Sequence, residues 1–157
     1  MPDMLVRLYD LPSPQEYYRR AEEAGVVIRR AEPWDRPRLR DFVETEFGNA
    51  FWAVEVDVAF TRLPISAFVA TSGGAVVGFA VYECTRRNFF GPTGVQRDLR
   101  GKAVGAALLF RCLEAMREMG YAYAVIGGVG PTQYYQKVCG AFLIPGSERG
   151  IYGALAG

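Results

Sequence analysis

Arg100, Gly101, Lys102, Ala103, Val104 and Gly105 stand between a β-rich run and the most regular helical pattern in the chain. A helix that starts there leaves its first amides without carbonyl partners, and the glycines let a ligand approach the main chain closely. Free N–H groups at the positive end of a helix dipole attract phosphate oxygens, so the segment has the chemistry of a pyrophosphate cradle. Arg100 and Lys102 add mobile positive charge, and the cradle extends to Ala106 in the first helical turn. A basic capping turn, with small residues for close packing, is the alternative the same residues allow. Two other nucleotide-binding loops are excluded. The Walker A pattern needs glycine where Gln96 stands and Ser or Thr where Ala103 stands. The dinucleotide fingerprint needs three glycines after the first strand of a βαβ unit.

Missing residue types narrow the remaining chemistry. The chain has no histidine, which removes Ser-His-Asp and Cys-His catalysis, histidine-ligated zinc and imidazole acid–base steps together. Cys84, Cys112 and Cys139 are far apart and never in C-x-x-C spacing. They read as buried free thiols, and neither a disulfide framework nor a metal site is expected. Eighteen basic against seventeen acidic residues give a net charge of +1 with no block of like sign, so neither nucleic acid nor an anionic membrane is an expected partner. The opening MPDMLVRLYDLPSP lacks the apolar run of a signal peptide, and no stretch reaches the ~20 apolar residues of a membrane span. A cytoplasmic protein is the expectation.

The elements that must position the cradle follow from periodicity. The chain has 157 residues, 50% apolar and 22% charged, enough for one domain burying roughly two-thirds of its unfolded surface. Ser13-Pro14-Gln15-Glu16 has the form of a capping box before a short helix that stops at Gly25. Residues 26–31 (VVIRRA) predict a strand, and Leu39, Phe42, Val43 and Phe47 share one face of a helix ending at Gly48. Residues 49–62 carry both periods, and a helix is preferred. Residues 65–71 and 75–84 flank a Ser72-Gly73-Gly74 turn as a hairpin, and residues 89–96, interrupted by Gly91, Pro92 and Gly94, predict a bulged strand. The long helix spans 103–119, with Leu108, Leu109, Cys112, Leu113 and Met116 inward. A strand over 121–126, a proline-opened helix over 131–138 and strands over 141–144 and 151–156 complete an α+β domain: helices flanking one sheet.

With these elements in place the chain resembles the GNAT superfamily of acyl-CoA-dependent N-acetyltransferases. Its motif Q/R-x-x-G-x-G/A matches Arg100 to Gly105 except at the middle glycine, where Ala103 stands, and Gln133-Tyr134-Tyr135-Gln136-Lys137 falls where the family often has an F-Y-E-K-like helix. The resemblance covers residues 26–156 and leaves 1–25 as an N-terminal helical extension to a domain over 26–157. It implies a single-domain GNAT-like fold with a central, mostly antiparallel mixed sheet that splits beside the bulged strand, and a pantetheine arm entering the split. Acetyl-CoA is then the co-substrate and an amine the acceptor. Contacts are implied from Val95 at the acyl end, and from Arg100, Gly101, Lys102, Ala103, Val104, Gly105 and Ala106 at the pyrophosphate. The family asparagine after the next strand corresponds to Gly128.

A bound amine can attack a thioester directly once both are aligned, so the chain must supply donors for the carbonyl oxygen, a route for the amine proton and an acid for the thiolate. The resemblance assigns the acid to Tyr135; the adjacent Tyr134, about 100° away on a helix, then reads as a core aromatic. Residues 89–96 carry no carboxylate, so Glu83, Glu55 and Asp57 are the candidate proton acceptors, with Glu83 placed first; ion pairing is the competing reading for each. Trp52 and Phe51, beside Glu55 and Asp57, would wall an acceptor pocket. The activity expected is acetyl transfer to a primary amine of a small molecule or an exposed amino group, the alternative being a catalytically weak CoA-binding sensor or interaction module. The apolar end IYGALAG suggests a homodimer through terminal strands.

Overall fold

The computed structural model describes residues 1–155. One seven-stranded sheet runs in the order β2-β3-β4-β5-β6-β1-β7. Its strands are β1 (Met4–Arg7), β2 (Val27–Arg30), β3 (Ala67–Ser72), β4 (Ala75–Tyr82), β5 (Phe89–Val95), β6 (Tyr123–Ile126) and β7 (Phe142–Leu143). The helices are α1 (Gln15–Glu23), α2 (Arg36–Phe47), α3 (Ala50–Ala59), α4 (Val104–Glu118), α5 (Thr132–Cys139) and α6 (Gly150–Leu155). Every neighbouring pair of strands is antiparallel except β5 and β6. No helix among the described residues is long and apolar enough to cross a membrane.

Alternation along the strands divides the core in two. Phe68, Ala70, Ala80, Tyr82 and Phe90 face α1, α4 and α5, whereas Ala67, Val69, Phe79 and Val81 face α2 and α3. The inward stripe of α4 is fully buried as expected, but so are Ala107 and Phe110, because α1 covers what would be the helix's outer side. Tyr17 stacks on Phe110 at 5.8 Å, and the Tyr18 hydroxyl donates to Glu114 at 2.6 Å. The mixed segment 49–62 resolves as helix α3, capped by the Asn49 side chain, which accepts from the Trp52 amide.

Two expectations are corrected. Residues 1–25 are not a helical extension outside the domain: β1 lies inside the sheet, antiparallel to β6 on one side and β7 on the other, with Met4 and Val6 fully buried. A boundary at 25/26 would cut through the core. The strand expected over 151–156 is instead helix α6 through Leu155, and Ala156 lies outside the described residues. Among the described residues, Gly150–Leu155 is therefore not a strand through which two copies could pair.

The entry to α2 rests on a buried carboxylate. Asp35, fully buried, accepts from both terminal nitrogens of Arg29 at 2.6 and 2.9 Å and from the Glu32 amide at 2.7 Å. The Arg29 guanidinium holds its carboxyl below the ordinary range, outweighing burial. Asp35→Asn should cost about 2–3 kcal/mol in urea unfolding, less than for a fully enclosed pair because Arg29 is partly exposed. A depressed carboxylate contributes its stability above the unfolded value and loses it as pH falls through the folded one. The Asn variant should therefore lack that part of the wild-type loss below about pH 4. Equal stability of the two proteins at neutral pH would contradict this role.

Candidate active site

The sheet opens where β5 and β6 part. The two strands pair only at Phe89 with Val125 and Phe90 with Ile126, after which β5 continues to Val95 while the other chain turns away at Gly127 and Gly128. A register shift against β4 between Ala80 and Tyr82 bends β5 at the same level. The Gln96 amide donates to Val77 O at 2.8 Å, so ladder alternation turns the Val95 and Thr93 amides away from β4, toward the opening. One wall of the wedge is thus an unpaired strand edge that offers donors to an extended ligand.

At the wide end lies the expected cradle. After a 3-10 turn over Arg97–Leu99, Gly101 takes φ +81° and Ala103 φ +66°, and α4 begins at Val104. The Ala107 amide is bonded to Ala103 O at 2.9 Å, so the amides of Val104, Gly105 and Ala106 precede the first carbonyl the helix can offer them. A Cβ built on Gly101 would meet nothing within 4 Å, and one on Gly105 would lie 3.7 Å from both Val95 Cγ2 and Tyr134 Oη. The turn is therefore open at Gly101, while Gly105 is bordered by Val95 and Tyr134, and the bare amides that start the helix suit a diphosphate. Two arginines brace the turn: Arg100 Nε donates to Val95 O at 3.2 Å, and Arg20, from α1, donates to Gly101 O at 3.0 Å. Lys102 is exposed beside them.

Ala103 departs from the motif at a left-handed residue, a conformation that costs a non-glycine residue about 1–2 kcal/mol. Glycine there would add about 0.4–1 kcal/mol of unfolded-state entropy cost. Ala103→Gly should therefore stabilise the free protein by roughly 0.5–1 kcal/mol, read as a raised urea midpoint. A lowered midpoint would show that Ala103 is not strained.

The α5 tyrosines are distinguished by position. The Tyr134 hydroxyl is the one set beside Gly105 and Val95, and burial raises its phenol well above the ordinary value. Tyr135 packs its ring against the α4-side core, and burial pushes its phenol up to about 12. The rings meet edge to face at 5.1 Å. Tyr134, expected to be a core aromatic, is thus the α5 phenol that borders Gly105 at the start of α4.

The expected carboxylates separate into three roles. Glu83, buried and left-handed at φ +61°, accepts from the Asn88 amide and from the Tyr121 hydroxyl at 3.1 Å, with Arg62 3.6 Å away. It clamps the β4–β5 connection at the closed end of the sheet, contrary to a free proton acceptor. Asp57 is tied to Arg36 at 3.2 Å and to Arg40, joining α2 to α3. Glu55 faces a different neighbourhood: its Oε1 accepts from Thr85 Oγ1 at 2.6 Å, and Tyr152 from α6 lies beside the same hydroxyl. Trp52 packs between Phe47 and Phe79, 5.3 and 6.1 Å away, and Phe47 in turn covers Gly94 of β5. These aromatics back β5 from the α3 side, while Phe51 stands 84% exposed.

Asp3, Thr85 and Tyr152 were not among the expected site residues. Asp3 Oδ1 accepts from the Gly128 amide at 2.9 Å, fixing the turn that leaves β6. Gly128, standing where the family places asparagine, is left-handed at φ +61°. Nothing in the local pattern around Asp3 signals a partner 125 residues away. Two concavities, one between residues 11–15 and the far half of α4 and one beside α2, take no part in this arrangement.

The sequence profile of the Acetyltransferase (GNAT) family matches residues 6–141. No curated protein matches the chain. Among solved structures, a fungal glucosamine N-acetyltransferase region related to GCN5, within a multi-domain GH3 β-N-acetylglucosaminidase, superposes with a TM-score of 0.74 at 14% identity, over 91% of this chain and 19% of that one. A GCN5-related N-acetyltransferase from Sphaerobacter thermophilus gives 0.68 at 20% identity, over 91% of this chain and 48% of that one. A GNAT family acetyltransferase from Brucella melitensis, in complex with acetyl-CoA, gives 0.57 at 24% identity, over 71% and 80%. The chain thus spans about a fifth and about half of the first two proteins. The profile reaches from β1 through α5, across the split strands and the turn before α4, and on that match the chain belongs to the GNAT acetyltransferase family.

Proposed function

We propose that the protein is an N-acetyltransferase that moves the acetyl group of acetyl-CoA directly to a primary amine. The observation that carries the reading is the run of bare amides that opens α4, with the Val95 side chain and the Tyr134 hydroxyl bordering Gly105. The presence of acetyl-CoA in the Brucella melitensis structure supports the choice of donor. Val104, Gly105 and Ala106 would hold the diphosphate through their amides, assisted by the charges of Arg100 and Lys102. Val95 N–H would donate to the thioester carbonyl oxygen as negative charge develops there.

The thioester supplies an acyl carbon with a thiolate leaving group. As the C–N bond forms and the C–S bond breaks, Tyr134 gives its proton to the departing sulfur, and the ammonium proton leaves toward Glu55 or through Thr85 to solvent. The Tyr134 phenol suits the donor role because burial keeps it protonated. Glu55 has Oε1 engaged by Thr85, while Glu83 has no comparable freedom.

The fixed state of Glu83 favours a second reading, a CoA-binding module without turnover. The two are separated by thermal shift followed by thiol release over a panel of amines. Saturating acetyl-CoA at about 100-fold its Kd should stabilise the protein by about 2.7 kcal/mol, roughly 5–10 °C for a chain of this size. Arg100→Glu should reduce that shift. Release of thiol with at least one amine supports transfer; stabilisation without release for any amine supports the module; no shift at all contradicts both.

A further inference from the structure

We propose that Asp3 is a positioning residue for the cofactor: it draws the chain leaving β6 away from β5 and so keeps open the gap that takes the pantetheine arm. This rests on the function proposed above, in which the acyl end of acetyl-CoA lies between β5 and β6.

Parallel strands share evenly spaced hydrogen bonds for as long as both chains run side by side. β5 runs on from Phe90, its last residue paired with β6, to Val95. The other chain does not follow, because its next amides are committed on the opposite side. Gly128 N–H donates to Asp3 Oδ1 at 2.9 Å, and Val129 N–H donates to Pro2 O at 2.8 Å. Both acceptors belong to the stretch that enters β1, the strand paired with the far edge of β6. In the β1–β6 register, where Met4 faces Ile126, Pro2 would oppose Gly128; it takes the Val129 amide instead. Gly128 is left-handed at φ +61°, as in a glycine bulge, and its N–H is the one the main chain leaves over. The Asp3 side chain satisfies it.

Asp3 is itself held in place. It is buried, its N–H donates to Ser147 Oγ at 3.0 Å, and its carbonyl oxygen accepts from the Ile144 amide at 3.0 Å. Among the described residues no cationic side chain pairs with its carboxylate, so the turn uses its acceptor oxygen and not an ion pair. The preceding residue is fixed from another direction: a Cβ on Gly127 would stand 2.9 Å from the Phe89 ring. A wall ordered in this way before the ligand arrives spares binding the entropy of ordering a glycine turn. The amides that open α4 share no residue with this turn, so the diphosphate is held independently of Asp3.

The experiment titrates wild type, Asp3→Ala and Asp3→Asn with acetyl-CoA and with adenosine 3′-phosphate 5′-diphosphate, which is CoA without its pantetheine arm. Asp3→Ala should weaken acetyl-CoA binding at least about tenfold and nucleotide binding by less than about threefold. Asp3→Asn, which keeps an acceptor oxygen, should hold both within about threefold of wild type. Hydrogen exchange gives a readout that needs no ligand: the Gly128 amide should exchange at least about tenfold faster in Asp3→Ala than in wild type or Asp3→Asn. Melting curves confirm folded protein, and Asp3→Ser, whose hydroxyl ends one atom short of Oδ1, takes the place of an alanine variant that does not fold. Equal acetyl-CoA affinity in wild type and Asp3→Ala, equal weakening of both ligands, or an unchanged Gly128 exchange rate overturns the proposal and leaves the transferase reading intact. Failure of wild type to bind acetyl-CoA overturns the transferase reading, and the Asp3 role with it.

Discussion

Gly105→Leu is expected to lower affinity for acetyl-CoA by about a hundredfold or more, a loss of about 2.7 kcal/mol, while the free protein stays folded. The side chain at residue 105 would leave the helix between Val95 Cγ2 and Tyr134 Oη, each 3.7 Å from the Cβ position. A single methyl there makes ordinary contact, so Gly105→Ala should bind acetyl-CoA within about tenfold of wild type. The additional atoms of leucine occupy the space before the helix amides. Folding should be nearly unaffected, because exchanging glycine for leucine within a helix gains about 0.8 kcal/mol in propensity and offsets mild crowding of a partly exposed Tyr134. Calorimetric titration of the three proteins reads the series directly. Leucine binding as tightly as glycine would mean that the donor lies elsewhere.

Tyr134→Phe should reduce kcat by roughly 10²–10³ with the acetyl-CoA KM changed by less than about threefold, whereas Tyr135→Phe should leave kcat within about threefold. The difference follows from which hydroxyl faces the cradle. An unperturbed tyrosine ionises near 10, and burial raises the Tyr134 value, so its proton is retained as pH rises through that region. The wild-type rate should accordingly show no loss of the acid limb up to about pH 10. Linkage has the opposite consequence for stability: above about pH 10 the unfolded phenol ionises while the native one does not, and unfolding becomes easier. A large kcat defect in Tyr135→Phe with none in Tyr134→Phe would reverse the assignment.

The parts of the fold legible in the sequence are those with local cause. The β3–β4 hairpin has two β-rich runs around glycines, and α4 repeats its buried stripe over four turns. Strand β1 has no local signature, since MLVR is four residues long and follows Pro2 and Asp3; it is a strand because β6 and β7 pair with it from far along the chain. The segment Gly150–Leu155 reads as apolar and β-like, yet it forms a helix whose Tyr152 ring packs at Gly128. At the site, the turn from Arg100 to Gly105 was legible because its requirement is local: a helix start with small residues. Which tyrosine reaches it was not, since that depends on how α5 packs in three dimensions. Charge and position make Glu83 look available in the sequence, whereas it is held by Asn88 of the same connection and by Arg62 and Tyr121 from two other segments.

A crystal structure of the protein with acetyl-CoA tests the central claim most directly. The diphosphate is predicted to lie within hydrogen-bonding distance of the Val104, Gly105 and Ala106 amides, with the acyl end between β5 and β6 beside Val95 N–H. Acetyl-CoA bound with its diphosphate away from that turn, or absent from the split at saturating concentration, would contradict the account.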